Sequence, residues 1–93
     1  MQISNEQGGV IVSKDRGIED TISGIVIPVE WDDDDDVIGV AIQTSDEEEY
    51  RVDGNKKGRE LLDLIEQEVE VSGMIREDEY DNFIIKVNEY SLI

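Results

Sequence analysis

The amino-acid sequence predicts a mainly β fold, five strands closed into a small barrel with one α-helix between the third and fourth. Two observations carry that prediction. Over residues 57–75 apolar side chains first recur at helical spacing, at Leu61, Leu64 and Ile65 with Leu62 on the flank. They then recur at spacing two, at Val69, Val71, Gly73 and Ile75, so a short helix feeds a strand without a proper loop. Alternating segments precede and follow this stretch. Ninety-three residues make one small domain, near the size at which a single apolar core only just offsets chain entropy.

Residues 1–20 are polar and punctuated by Gly8, Gly9 and Gly17, and only Val10, Ile11 and Val12 look like structure. They read as a loose lead-in, with a short edge strand as the alternative, and the domain is expected to span 21–93. The first strand covers 21–31. Ile25, Ile27, Val29 and Trp31 fall on one face and Ile22 and Val26 on the other, which suits a strand that curls and serves two parts of a barrel. Gly24 supplies the bend, and Pro28, which cannot donate to a ladder, marks an unpaired or bulged position.

Residues 32–36 turn the chain into the second strand, 37–44, with Ile38, Val40 and Ile42 inward and Val37, Gly39, Ala41 and Gln43 outward. After a turn at 45–48, the third strand, 49–53, points Tyr50 and Val52 inward. Asn55 is a suitable N-cap, but Lys56 and Lys57 oppose the dipole of a first turn, so the helix is expected to start nearer Gly58. The fourth strand spans 68–76. An acidic turn at 77–82 leads to the fifth, 82–91, in which Phe83, Ile85 and Val87 alternate with Ile84, Lys86 and Asn88. Tyr90, Leu92 and Ile93 are expected to cover one end of the barrel.

Three strands, a helix and two strands, with glycines in the first and fourth strands, resemble the OB-fold, a Greek-key barrel. The resemblance covers 21–93. It is most specific over Tyr50-Arg51-Val52, Gly58, Leu61-Leu62, Leu64-Ile65 and 69–75, which look like the third strand, helix and fourth strand of small bacterial OB-fold proteins. One departure stands out: Glu66, Gln67 and Glu68 occupy the place where such domains often carry a glycine at the helix end. The resemblance implies a fold more than a function, because this architecture serves oligonucleotide, oligosaccharide and protein binding alike.

Composition removes much chemistry. There is no cysteine for a thiolate, a disulfide or a zinc site, and no histidine for the commonest general base and metal ligand. Against 8 basic residues stand 25 acidic ones, a net charge of −17, which repels phosphate backbones and anionic lipid and favours cations or basic proteins. No basic start followed by an apolar run, and no membrane-length apolar stretch, is present, which reads as a cytoplasmic protein without a membrane partner. No serine lies near a plausible base, no glycine loop suits phosphate, and no cofactor is implied, so the reading is non-enzymatic.

Nucleic-acid-binding OB-folds work through the outer face of strands two and three, where each stacked base contributes about 1–3 kcal/mol. Here that face, Val37, Gly39, Ala41, Gln43, Glu49, Arg51 and Asp53, offers no aromatic ring and one cation, so single-stranded nucleic acid is the second reading. The first is a binding module that contacts a basic protein segment or a divalent cation through Asp32, Asp33, Asp34, Asp35 and Asp36 and through Glu77, Asp78, Glu79 and Asp81. Trp31 and Tyr80 adjoin these turns and, if both are exposed at one end of the barrel, form an anchoring pair; the preferred alternative has Trp31 plugging the barrel. The five aspartates fail the EF-hand template, since its glycine position holds Val37 and its final glutamate position Gln43. What remains is weak, diffuse attraction for calcium, because carboxylates about 6 Å apart repel by about 0.7 kcal/mol in water and gain from any nearby cation.

Overall fold

The computed structural model describes residues 17–93, so the expectation for Val10, Ile11 and Val12 lies outside the described residues. Five strands, β1 (Ile18–Trp31), β2 (Val37–Gln43), β3 (Glu49–Val52), β4 (Glu68–Glu77) and β5 (Phe83–Leu92), close into a barrel in the order β1-β2-β3-β5-β4. The helix α1 (Lys56–Glu60) continues as a 3₁₀ turn, Leu61–Leu64, between β3 and β4. All neighbouring strands run antiparallel except β3 and β5, which are parallel with Tyr50 opposite Phe83 and Val52 opposite Ile85. The five strands and the helix between the third and fourth are the elements that the hydrophobic periodicities predict, and their closure is what the resemblance implies.

Closure depends on β1, which starts at Ile18 rather than near Thr21 and serves both sides of the barrel. Its first half pairs with β4, its second half with β2, and Ile25 faces Glu68 on one side and Gln43 on the other. Gly24 sits at this change of partner, where a β-carbon would run into the carbonyl oxygen of Gln43. Gly73, beside the register shift in the β4–β5 pair, is crowded in the same way by the carbonyl oxygen of Lys86. The two glycines let strands approach at the corners of a small barrel. Pro28 is in register with Val40 and borders the bulge that follows it, so it flanks the irregular position the sequence predicts and does not occupy it.

The core is Val26, Val40, Ile42, Leu61, Val69, Val71, Ile85 and Val87, with Tyr50, Val52, Ile75 and Tyr90 packed against it. Of the two apolar faces of the first strand, the one through Ile22, Gly24 and Val26 is inward, and Val26 is its buried residue. Two expectations about facing are corrected. Ile38 is 50% exposed and Val37 packs on the core instead, since two register shifts near the β1–β2 turn upset the simple alternation. Of the chain end, Tyr90 packs on the core while Leu92 and Ile93 are exposed.

The helix begins at Lys56, two residues earlier than the charge argument for Gly58 implies. Asn55 decides this: its Oδ1 accepts from the Gly58 amide at 2.9 Å while its Nδ2 donates to the Val87 carbonyl at 3.0 Å, capping α1 and tying it to β5. Lys57 lies 5.8 Å from the Tyr90 ring centre and 3.9 Å from Glu60, and the Tyr90 hydroxyl donates to Glu60 at 2.7 Å. Beyond the 3₁₀ turn Glu66 adopts φ 72°, the left-handed conformation that glycine usually supplies. The Glu66 amide then donates to the Val26 carbonyl, and the Val26 amide to the Gln67 carbonyl, so the linker joins β1 before β4 starts.

Candidate interaction surface

Three acidic turns share one build. In residues 32–36, 44–48 and 78–82 the fourth amide donates to the first carbonyl and the first amide to the fifth carbonyl, at 2.9 to 3.2 Å. The fourth residue, Asp35, Glu47 or Asp81, has φ 66° in every case. This is a type I turn followed by a left-handed residue, a common three-residue hairpin loop. The first side chain locks it: Asp32 Oδ1 accepts from the amides of Asp34 and Asp36, Asp78 Oδ1 from those of Tyr80 and Asn82, and Thr44 Oγ1 from that of Glu48. Asp32 and Asp78 are therefore structural residues of their turns.

Strand register decides which turns are neighbours. β2 leads from turn 32–36 to turn 44–48, a distance of about 20 Å at the usual rise per residue. The parallel pairing of β3 with β5 sets Tyr50 beside Phe83, so turn 78–82, which precedes β5, lies beside turn 44–48, which precedes β3. The expected union of Asp32, Asp33, Asp34, Asp35 and Asp36 with Glu77, Asp78, Glu79 and Asp81 at one end is thus corrected. Turn 32–36 belongs to the helix end of the barrel and turn 78–82 to the other. Trp31 and Tyr80 are parted with them and form no pair.

Among the described residues, the turns and strand start that build the end at 44–48 and 78–82 are negative throughout. Asp46, Glu47, Glu48 and Glu49 flank one turn, Glu77, Asp78, Glu79 and Asp81 the other, and Glu19 and Asp20 stand at the start of β1. These three segments carry no lysine or arginine. Arg76, the basic residue next in sequence, turns its guanidinium to Asp53 at 3.4 Å, and Arg51 turns to Glu30 at 3.4 Å. Beneath the rim, Tyr50 and Phe83 stack with ring centres 5.2 Å apart. Burial holds the Tyr50 phenol above its ordinary 10.0, and the carboxylates of Glu48, Asp20 and Asp46 push it further the same way. Tyr80 is 77% exposed.

At the helix end, Trp31 is 53% exposed instead of plugging the barrel. The register shifts on either side of Glu30 carry the strand end away from the core. Carboxylate oxygens of Asp32, Asp34 and Asp36, all exposed, come within 4.8 Å of one another, close enough to share a cation. This end also carries Lys56, Lys57 and Arg59 on α1, so its charge is mixed. A hollow beside α1, bounded by Lys56, Arg59, Glu60, Leu62 and Asp63, lies open to solvent. Between β2 and α1 a cavity of about 20 Å³ meets Ile38, Val52, Gly58 and Leu62, room for about one water and no substrate.

The outward side of β2 and β3 presents Gly39, Gln43, Glu49 and Arg51 around a buried Ala41, without an aromatic ring. None of the described helices is long and apolar enough to cross a membrane. Comparison with known proteins finds no family model that matches the chain and no curated protein that matches its sequence.

Proposed function

We propose that the protein is a non-enzymatic, cytoplasmic interaction module of the OB-fold type that binds a basic protein segment at the acidic end formed by turns 44–48 and 78–82. One observation carries this reading: two turns of one backbone build stand side by side with the start of β1, and the three segments hold carboxylates with no basic side chain among them. A charged rim over the stacked Tyr50 and Phe83, with Tyr80 projecting from it, suits lysine and arginine side chains, which pair with carboxylates through their heads and lie on aromatic rings through their stems. The field of such an end steers a cationic partner and repels nucleic acid. The triad of Asp32, Asp34 and Asp36, with carboxylate oxygens within 4.8 Å of one another, offers a divalent cation a second, weaker place.

Calorimetric titration with a lysine-rich peptide tests the reading. Neutralising Asp46, Glu47 and Glu79 as amides weakens binding about tenfold, the sum of three partly screened contacts, whereas Asp33, Asp34 and Asp35 converted to asparagine leave it unchanged. Equal losses from both sets, or a larger loss from the second, contradict the assignment of the acidic end.

A further inference from the structure

We propose that the basic segment binds as an extended strand added to the edge of β1 that no described strand covers, an inference that rests on the reading of the acidic end above. Residues Ile18 to Ile25 pair with β4 along one edge, while β2 covers the other edge only from Ile25 onward. The amide and carbonyl of Val26 face Gln67 and Glu66 on the β4 side. Alternation along the strand turns the backbone groups of Gly24, Ile22 and Asp20 the same way and those of Glu19, Thr21 and Ser23 to the opposite edge. Among the described residues no strand lies along that edge. The Thr21 amide bonds instead to the neighbouring Asp20 carboxylate at 2.7 Å.

An open edge invites pairing with whatever strand fits, and charge chooses the strand here. The edge runs toward the acidic end, where Asp20 shares the neighbourhood of the Tyr50 hydroxyl with Asp46 and Glu48 of turn 44–48. A second copy of a chain carrying −17 meets its own repulsion along this edge, whereas a strand with alternate lysines brings main-chain donors to the edge and cations to the carboxylates.

The test uses the full chain and two short peptides of equal charge, one alternating lysine with valine and the other lysine with proline, which cannot complete a ladder. The lysine–valine peptide binds about tenfold or more tightly than the proline peptide, roughly the worth of one or more added main-chain hydrogen bonds, and slows hydrogen exchange at the Glu19 and Ser23 amides. Thr21→Pro removes an edge donor that takes no part in the β4 ladder, and reduces the lysine–valine peptide to the affinity of the proline peptide. The exchange measurement on the unaltered chain decides the matter if that variant misfolds. Equal binding of the two peptides overturns strand addition and leaves the acidic end standing; no binding of either removes the reading on which it rests. Slow exchange at Glu19 and Ser23 before any peptide is added, showing the edge already covered by residues 1–16 or by a second copy, also overturns it.

Discussion

Asn55 makes the junction between β3 and the helix with a single side chain, its carbonyl oxygen on the Gly58 amide and its nitrogen on the Val87 carbonyl. Truncation to alanine leaves a partly buried donor and acceptor unpaired and loosens the helix that seats Leu61 in the core. Asn55→Ala is expected to lower stability by about 1–2 kcal/mol, read as a lower urea midpoint at unchanged slope. Asp32 and Asp78 act similarly in their turns, and sequence alone exposes this only in part. Aspartate at a turn is legible, but that one carboxylate accepts two backbone amides, and so serves the turn before any ligand, depends on the spacing of a left-handed residue three positions on.

The connection from the helix to β4 contains a residue chosen against local preference. Glu66 holds φ 72°, where a side chain costs about 1 kcal/mol relative to glycine. Glu66→Gly is expected to stabilise the fold by up to about 1 kcal/mol, less what glycine adds to unfolded-chain entropy, while Glu66→Ala brings no gain. Equal gains from both variants would assign the effect to lost charge instead of conformation. The missing glycine is visible in the sequence as Glu66-Gln67-Glu68; its resolution is not, because it needs Val26 on another strand to bind both linker residues. The same limit governs β1. The apolar residues of both its faces are legible, yet the choice of Val26 over Ile25 for the core follows from partner register, and the two shifts around Glu30 expose Trp31.

Over the whole molecule, the five strands and the position of the helix along the chain follow from periodicities of two and of about 3.6, whereas the order of the strands around the barrel is expected only from the resemblance to a known architecture. The end-to-end arrangement of the acidic turns follows from neither. It is set by the one parallel pair, Tyr50 with Phe83, which brings turn 78–82 to turn 44–48 and away from turn 32–36. Net charge acts at this scale too. With −17 on 93 residues, self-repulsion opposes the compact state, and added salt shortens its reach from about 30 Å at 0.01 M to about 8 Å at 0.15 M. Thermal scans over that range are expected to show a rising midpoint, each 1 kcal/mol of relief appearing as about 4–8 °C in a domain of this size. An unmoved midpoint would mean that the unfolded chain is repelled as strongly as the folded one.

The location of the binding end is tested most directly by following the backbone amides of the isotope-labelled protein during titration with a lysine-rich peptide at low salt, beside a parallel titration with a short single-stranded oligonucleotide. The account predicts that the peptide moves the amides of residues 44–50 and 77–83 together and that the oligonucleotide moves none. Oligonucleotide-induced shifts confined to β2 and β3, or peptide-induced shifts centred on residues 31–36, would contradict it.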